Sequence, residues 1–360
     1  MLLLLIAACG TPVVDNTADR YMEMRPGPET LVDQDGDYIG GWWSEWTGEI
    51  NPEDASGPPG ALKGWIHLSF DLDDYFVVTN IADLGKASNT ALLAVDKATG
   101  ELRDVSLRYA LGDNELEVSP GWDSLSNPAD GSSATVQADG TIEFAIYAED
   151  LSFEGTARPI GQPYIQTTRS VPGFGWLQWY ENLEIVEATL DLGQGPIDVP
   201  AGTLGAMDRT LGHRSTLQNW NWLSVIGQAT DEDGETALIS LQMARDQEGA
   251  SPKIEALKYA AWVGDELFKL PDLTFDYDIL DEDTRETSSW HIWSPAGEDD
   301  ALDFTLDPQF HRRDQQDFLW FVHADFNQYY GPGSGTLTHD GHTWQIDQVF
   351  SLCEDSLLDL

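Results

Sequence analysis

The residues best suited to chemistry lie together in the second half of the chain. Asp208-Arg209-Thr210-Leu211-Gly212-His213-Arg214 is followed by Trp220-Asn221-Trp222, and Glu354 stands near the C-terminal end as a second carboxyl. A carboxyl placed beside indole faces loses water, which raises its pKa and keeps it protonated near neutral pH. Such a group can protonate a carbon–carbon double bond, and aromatic faces stabilise the resulting cation. A hydratase, a cyclase or a double-bond isomerase needs that chemistry, with no cofactor. Asp208 is the candidate acid and Glu354 the carboxyl expected to converge on it. The competing reading pairs Asp208 with Arg209, His213 or Arg214, pinning a crossover between domains and leaving a poor acid. Thr210 and Gly212 fit turn-formers better than ligand contacts.

Trp220 and Trp222 are two apart, so on a strand both rings leave the same face. Trp176 and Trp179 precede them, and Trp290 and Trp293 follow. Convergence of these faces, with Tyr330, Thr210, His213 and Arg214 at the rim, would line an aromatic cavity for one apolar ligand. Rings that simply fill a core are the alternative.

Other chemistries lack their residues. There is no G-x-S-x-G elbow, no H-E-x-x-H and no C-x-x-C. His339 and His342 flank Asp340-Gly341 and belong to a hairpin tip, so no metal is expected. Gly331-Pro332-Gly333-Ser334-Gly335 opens no helix and forms no phosphate cradle. Cys353 has Glu354 and Asp355 beside it, a setting that disfavours a thiolate.

Short β-rich runs separated by turn chemistry must position these residues. Trp65–Phe70 and Tyr75–Val78 flank a turn at Asp71–Asp74, and Thr141–Tyr147 and Glu184–Leu190 alternate apolar with polar. Asp139-Gly140, Asp233-Gly234 and Asp340-Gly341 sit between such runs as hairpin signals. Asp33, Asp35 and Asp37 fit a turn better than a calcium loop, because position twelve is Ser44. The pattern predicts an all-β protein of two domains, with the Gly- and Pro-rich stretch from Gly193 to Gly205 as the boundary.

Asp and Glu number 63 against 18 Lys and Arg, a formal charge of -45 scattered along the chain. That field repels phosphates, so nucleic acid is excluded as a partner. It fits a solvated acidic surface of the kind a saline habitat favours. At the N-terminus, Met1–Leu5 is apolar and leads into Ile6-Ala7-Ala8-Cys9-Gly10. This looks like a bacterial lipobox, with Cys9 lipidated, against the alternative of a chance apolar start. The polar residues after it, with Pro26, Gly27 and Pro28, predict a flexible tether.

Ala206–Arg214 with Trp220-Asn221-Trp222 resembles the bacterial family called "domain of unknown function 2804", whose members carry D-x-T-x-G, a short basic stretch and W-x-W. Leu302-Asp303-Phe304 with Pro308, Gln328-Tyr329-Tyr330-Gly331 with Gly335, and Glu354 fall in the same order. The resemblance runs from about Gly40 to the C-terminus. That family is in turn similar to the carotenoid 1,2-hydratases, in which a D-R/H-E-W segment lies between two lipocalin-like barrels. Ala206-Met207-Asp208-Arg209 matches its start, with Thr210-Leu211 where those proteins carry Glu-Trp.

The resemblance implies two tandem lipocalin-like β-barrel domains. The expected organisation is a signal peptide at 1–9, a tether at 10–38 and barrels at 39–200 and 201–360. The expected protein is a monomer of the bacterial cell envelope, exported and lipid-anchored at the outer membrane or periplasmic face. Its expected function is to bind an apolar lipid or isoprenoid. An Asp208-dependent hydratase, cyclase or isomerase is the second reading, and a packed-core envelope interaction protein the third.

Overall fold

The computed structural model describes residues 23–58, 60–85, 87–110, 116–170, 172–214, 217–246, 259–270, 273–294, 299–318 and 322–359. Cys9 and the first part of the expected tether lie outside them. Among the described residues there is no α-helix; a single 3-10 turn, Pro52–Asp54, interrupts an otherwise all-β chain. A 14-stranded sheet and a 10-stranded sheet carry nearly all of it, each curled around its own apolar core. The architecture is two tandem lipocalin-like barrels.

Period-two patterning explains which side chains enter each core. In the strand Leu62–Asp71, Ile66, Leu68 and Phe70 face the first core, which leaves Trp65, His67 and Ser69 on the opposite face. In Leu217–Thr230, Leu223 and Val225 enter the second core, and Trp220, Trp222 and Ser224 face away from it. The two outward faces pack against each other. Phe76, Val78, Leu93 and Val95 of the first sheet form one apolar cluster with Trp222, Tyr330, Phe350 and Leu352 of the second. A smaller cluster joins Trp42, Tyr164 and Tyr180 to Trp262 and Leu267.

Both barrels follow one plan. The first runs as a four-strand meander, Leu62–Asp71, Tyr75–Asp83, Ala87–Asp96 and Leu102–Ala110. The second begins with Leu217–Thr230, Thr236–Asp246, Tyr259–Val263 and Glu266–Lys269 in the same order. In each barrel the last strand then inserts beside the first. Leu204–His213 lies between Leu62–Asp71 and Gly175–Leu192, and His342–Asp359 lies between Leu217–Thr230 and Val322–His339.

Two boundaries differ from the expected ones. The Asp208 strand belongs to the first sheet, so the first barrel runs to His213 and the second starts at Leu217. The Gly- and Pro-rich stretch marks the turns on either side of the short strand Pro196–Val199, not a domain linker. Residues 23–38 are also packed rather than tethering. Met24–Pro26 pairs with the strand Gly41–Glu45, and Leu31, Val32 and Tyr38 are buried in the first core. Burial of three large side chains outweighs the loop-like composition around them.

The turn expectations hold where they can be seen. Asp33 Oδ1 accepts from the Asp35 and Asp37 amides, an Asx turn. Asp340 and Gly341 both take positive φ, 48° and 80°, which a two-residue hairpin turn requires.

Candidate functional site between the barrels

Asp208 and Glu354 occupy equivalent places, each on the inserted last strand of its barrel. Across the first sheet Asp208 is paired with His67 on one side and Tyr180 on the other. Across the second, Glu354 is paired with Trp222 and Gln328. Paired residues of antiparallel strands leave the same face, so both rows point into the layer between the barrels and not into either core.

The equivalence extends to the hydrogen bonds. Trp65, two residues before His67, donates its Nε1 to Asp208 Oδ2 at 3.1 Å. Trp220, two residues before Trp222, donates its Nε1 to Glu354 Oε2, also at 3.1 Å. Thr210 stands two residues beyond Asp208 and donates its hydroxyl to Oδ1 at 2.7 Å. Ser356 holds the matching position after Glu354 and is buried, and its hydroxyl has no partner. Gln328 supplies the other donor to Glu354, Nε2 to Oε1 at 2.7 Å. Its own Oε1 accepts from Tyr330 at 2.9 Å and from Arg312 at 3.0 Å.

The two carboxyls sense each other. Burial raises the pKa of Glu354, and the charge of Asp208 raises it further, against the lowering effect of Gln328 and Trp220. Tyr180 is pushed well above the usual phenol range, by burial first and then by Asp208, with Arg214 acting in the opposite sense. At the centre, His67 meets Trp222 edge-on with ring centroids 5.2 Å apart. Burial lowers the His67 pKa to about 4, so the ring is neutral. Neither His67 Nε2 nor Trp222 Nε1 has a hydrogen-bond partner. Arg214 lies over the rings of Trp65 and Trp176, 5.0 Å from each centroid. Asp208, Trp65, Arg214 and Trp220 are half-buried, so the layer reaches solvent along that edge.

Of the residues expected to line a cavity, Trp176, Thr210, Arg214, Trp220, Trp222 and Tyr330 share this layer with both carboxyls. The others are elsewhere. Trp290 is buried in the second core, stacked 3.7 Å from Tyr277. Trp293, three positions on, leaves the opposite face of its strand and lies beside His291. Trp179 faces the first core, where Arg209 stacks on it. His213 pairs through Nδ1 with the Tyr38 hydroxyl at 2.9 Å. The aromatic faces therefore do not all converge, because a spacing of three reverses the side of a strand. Arg209 likewise leaves the opposite face from its neighbour Asp208.

Trp65, His67, Tyr180 and Gln328 carry no signal strong enough to single each out. Their signal is the repeat: W-x-H at 65–67 and D-x-T at 208–210 recur as W-x-W at 220–222 and E-x-S at 354–356. The separations between indole and carboxyl are 143 and 134 residues.

Away from the layer, Asp231, Glu232 and His342 come within 4.8 Å of one another on two exposed hairpin tips. His339 turns away, stacked on Phe268 and bonded to Asp300. Cys353 is buried in the second core, and burial, with Glu354 next to it, holds its thiol well above the usual range.

A pair of lipocalin-like barrels that meet across a carboxyl-bearing layer defines the structural class. The family model described as Domain of unknown function (DUF2804) matches residues 178–358, half of the chain, and the chain belongs to that family. Among solved structures, a protein assigned as AttH from Nitrosomonas europaea is 15% identical, over 83% of this chain and 92% of that one, with a TM-score of 0.49. CghA is 12% identical, over 95% and 96%, with a TM-score of 0.46. Kievitone hydratase from Nectria haematococca is 15% identical, over 94% and 98%, with a TM-score of 0.40. No curated protein matches.

Proposed function

We propose that the layer between the barrels is a general-acid site for an apolar unsaturated substrate, with chemistry of the hydratase, cyclase or double-bond isomerase type. The observation that carries this reading is the placing of two carboxyls on equivalent strands facing one layer, one of them raised in pKa by burial first and then by the charge of the other. Environments that set two carboxyls apart commonly divide the roles of acid and base between them. Here the acid role falls to Glu354 rather than to Asp208, which is half-buried and receives both an indole N–H and a hydroxyl.

Each Glu354 oxygen accepts one N–H, which leaves a second lone pair where a proton can sit. Transfer of that proton to an alkene carbon breaks the O–H bond, forms a C–H bond and leaves a cation on the adjacent carbon. The faces of Trp65, Trp222 and Tyr180 and the negative charge of Asp208 stabilise it. The cation is discharged by water, which gives up a proton to a carboxylate, or by loss of a neighbouring proton to Asp208; attack of an internal double bond forms a ring and moves the cation to a new carbon, which is then discharged in either of these ways. Binding an apolar ligand without turnover is the simpler use of the same layer.

The test is incubation with a panel of isoprenoid alkenes in D2O, read by mass spectrometry. Deuterium entering carbon, reduced at least a hundredfold in Glu354→Gln, supports the acid site; general acids contribute about 10²–10⁴. Retention of a panel member without deuterium uptake assigns the layer to binding alone. No uptake and no retention removes both readings.

Attachment to an envelope membrane through Cys9 is part of the proposal on sequence grounds. Radiolabelled palmitate fed to bacterial cells expressing the chain should label it, and Cys9→Ser should abolish the label; an unlabelled parent chain overturns the anchor.

A further inference from the structure

Strand register sets Arg312, Gln328, Glu354 and Trp222 side by side on four neighbouring strands of the second barrel. Paired residues leave the same face, so Arg312, on the strand Phe310–Phe318, faces the same layer as the two carboxyls. Its side chain is 10% exposed and is held from both barrels. Nε donates to Asp104 Oδ2 at 2.6 Å and Nη2 to Ser106 Oγ at 2.9 Å, both on the first-barrel strand Leu102–Ala110. Nη1 donates to Gln328 Oε1 at 3.0 Å, and Gln328 Nε2 donates in turn to Glu354 Oε1 at 2.7 Å. Asp314 Oδ2 lies 3.4 Å from Nη2.

A primary amide has an accepting end and a donating end, and here only one orientation satisfies both neighbours. A guanidinium can donate but cannot accept. Flipping the Gln328 amide would set its NH2 against Nη1, donor against donor. It would also turn Oε1 toward Glu354, where that oxygen would accept the acid proton and hold it. Tyr330 also donates to Gln328 Oε1, at 2.9 Å, but a phenol hydroxyl can accept as readily as it donates. Of these two neighbours, Arg312 is therefore the one that enforces the orientation. An N–H facing Glu354 stabilises the carboxylate that proton transfer leaves behind.

Asp208 and Tyr180 of the first barrel, and Arg312, Tyr330 and Cys353 of the second, act on Glu354 or sense its charge. Against burial, which raises the Glu354 pKa, the Gln328 N–H is the strongest opposing influence, and the charge of Arg312 adds to it.

We propose that Arg312 is the positioning residue of the Glu354 acid: braced by Asp104 across the barrel interface, it fixes the Gln328 amide with its N–H toward Glu354 and so keeps the acid proton available to the substrate. The inference rests on the acid reading of the layer. It also ties the acid to the docking of the barrels, since the brace comes from one barrel and the carboxyl from the other.

A double-mutant cycle on the full chain tests this, with Arg312→Met and Gln328→Leu made singly and together. The readout is proton binding by Glu354 without substrate, followed by its carboxyl infrared band over a pH series and assigned by loss of that band in Glu354→Gln. Arg312→Met should tighten proton binding by Glu354 about tenfold or more. In the Gln328→Leu background the same substitution should have much less effect, because the amide it acts through is gone. A guanidinium acting by charge alone would give equal changes in both backgrounds. Deuterium uptake into substrate should fall about tenfold in Arg312→Met, within the range that general acids contribute. Arg312→Lys keeps the charge but cannot hold Asp104 and Gln328 together. It carries the test if Arg312→Met does not fold, with a smaller change and the same dependence on Gln328. No change, or an equal change with and without Gln328, overturns the proposal. A Gln328-dependent change in a chain that shows no deuterium uptake removes the acid reading and leaves the positioning role. Glu354-dependent uptake that Arg312→Met leaves intact keeps the acid and overturns the positioning role.

Discussion

The two barrels share a plan and differ in what they do with charge. Toward each other they present the same device, a carboxyl on the inserted strand capped by an indole N–H from the first strand. Toward their own cores they diverge. The second barrel pairs Asp355 with Arg285 directly, whereas the first stacks Arg209 on the Trp179 ring with Glu181 acting on it through its charge. The shared face is what the two barrels have in common as chemistry, and the interiors differ only in how each core accommodates charge.

The largest expected effect tests whether the two carboxyls differ in role. Glu354→Gln should reduce proton transfer to carbon at least about a hundredfold, and Asp208→Asn should lower it while removing one cause of the raised Glu354 pKa. A group whose folded pKa is raised gives stability that is complete below its unfolded pKa and is lost as pH rises through the folded value. Urea melts of the parent chain should therefore lose stability above pH 4.5, Glu's ordinary value, relative to Glu354→Gln. Parallel melting curves would refute the raised Glu354 pKa.

A second effect compares the residues that meet at the centre. Above pH 6.5 His67 is neutral in both states; as pH falls toward 4 only the unfolded chain takes up the proton, and stability is lost. Over that range the parent should lose roughly 3 kcal/mol more than His67→Gln. Trp222→Phe, at the equivalent position, should leave the pH dependence as it is in the parent. An acid profile unchanged in His67→Gln would refute the buried neutral imidazole.

The smallest effect compares the two indole donors. Trp220→Phe leaves the buried Glu354 with one donor fewer and should cost about 2 kcal/mol. Trp65→Phe, facing the half-buried Asp208, should cost about 1 kcal/mol because water can take its place. Equal losses in thermal denaturation would show that the two carboxyls are equally dry.

Strand character was legible in the sequence because side-chain alternation and turn residues are local properties. Trp65–Phe70, Tyr75–Val78 and the Asp-Gly turns could be read from a few neighbours at a time. Asp208 was legible as chemistry from the basic stretch and paired tryptophans that follow it, and Glu354 from its place in the order of the family's motifs. Their surroundings were not. His67 and Tyr180 reach Asp208 from strands 141 and 28 residues away in sequence, and only the register of three strands brings them together.

The sequence by itself determined the all-β character, the acidic composition, the repeat of indole and carboxyl, and the alternation that sends Asp208 and Arg209 to opposite faces. Tertiary structure decided the rest. It assigned the Asp208 strand to the first barrel, made the layer between the barrels the meeting place of both carboxyls, and buried Trp290 in the second core. It also stacked Arg209 on Trp179 while pairing Asp355 with Arg285. The reason is physical: alternation fixes which residues share a face, but strand order and the packing of one sheet on another fix what that face meets.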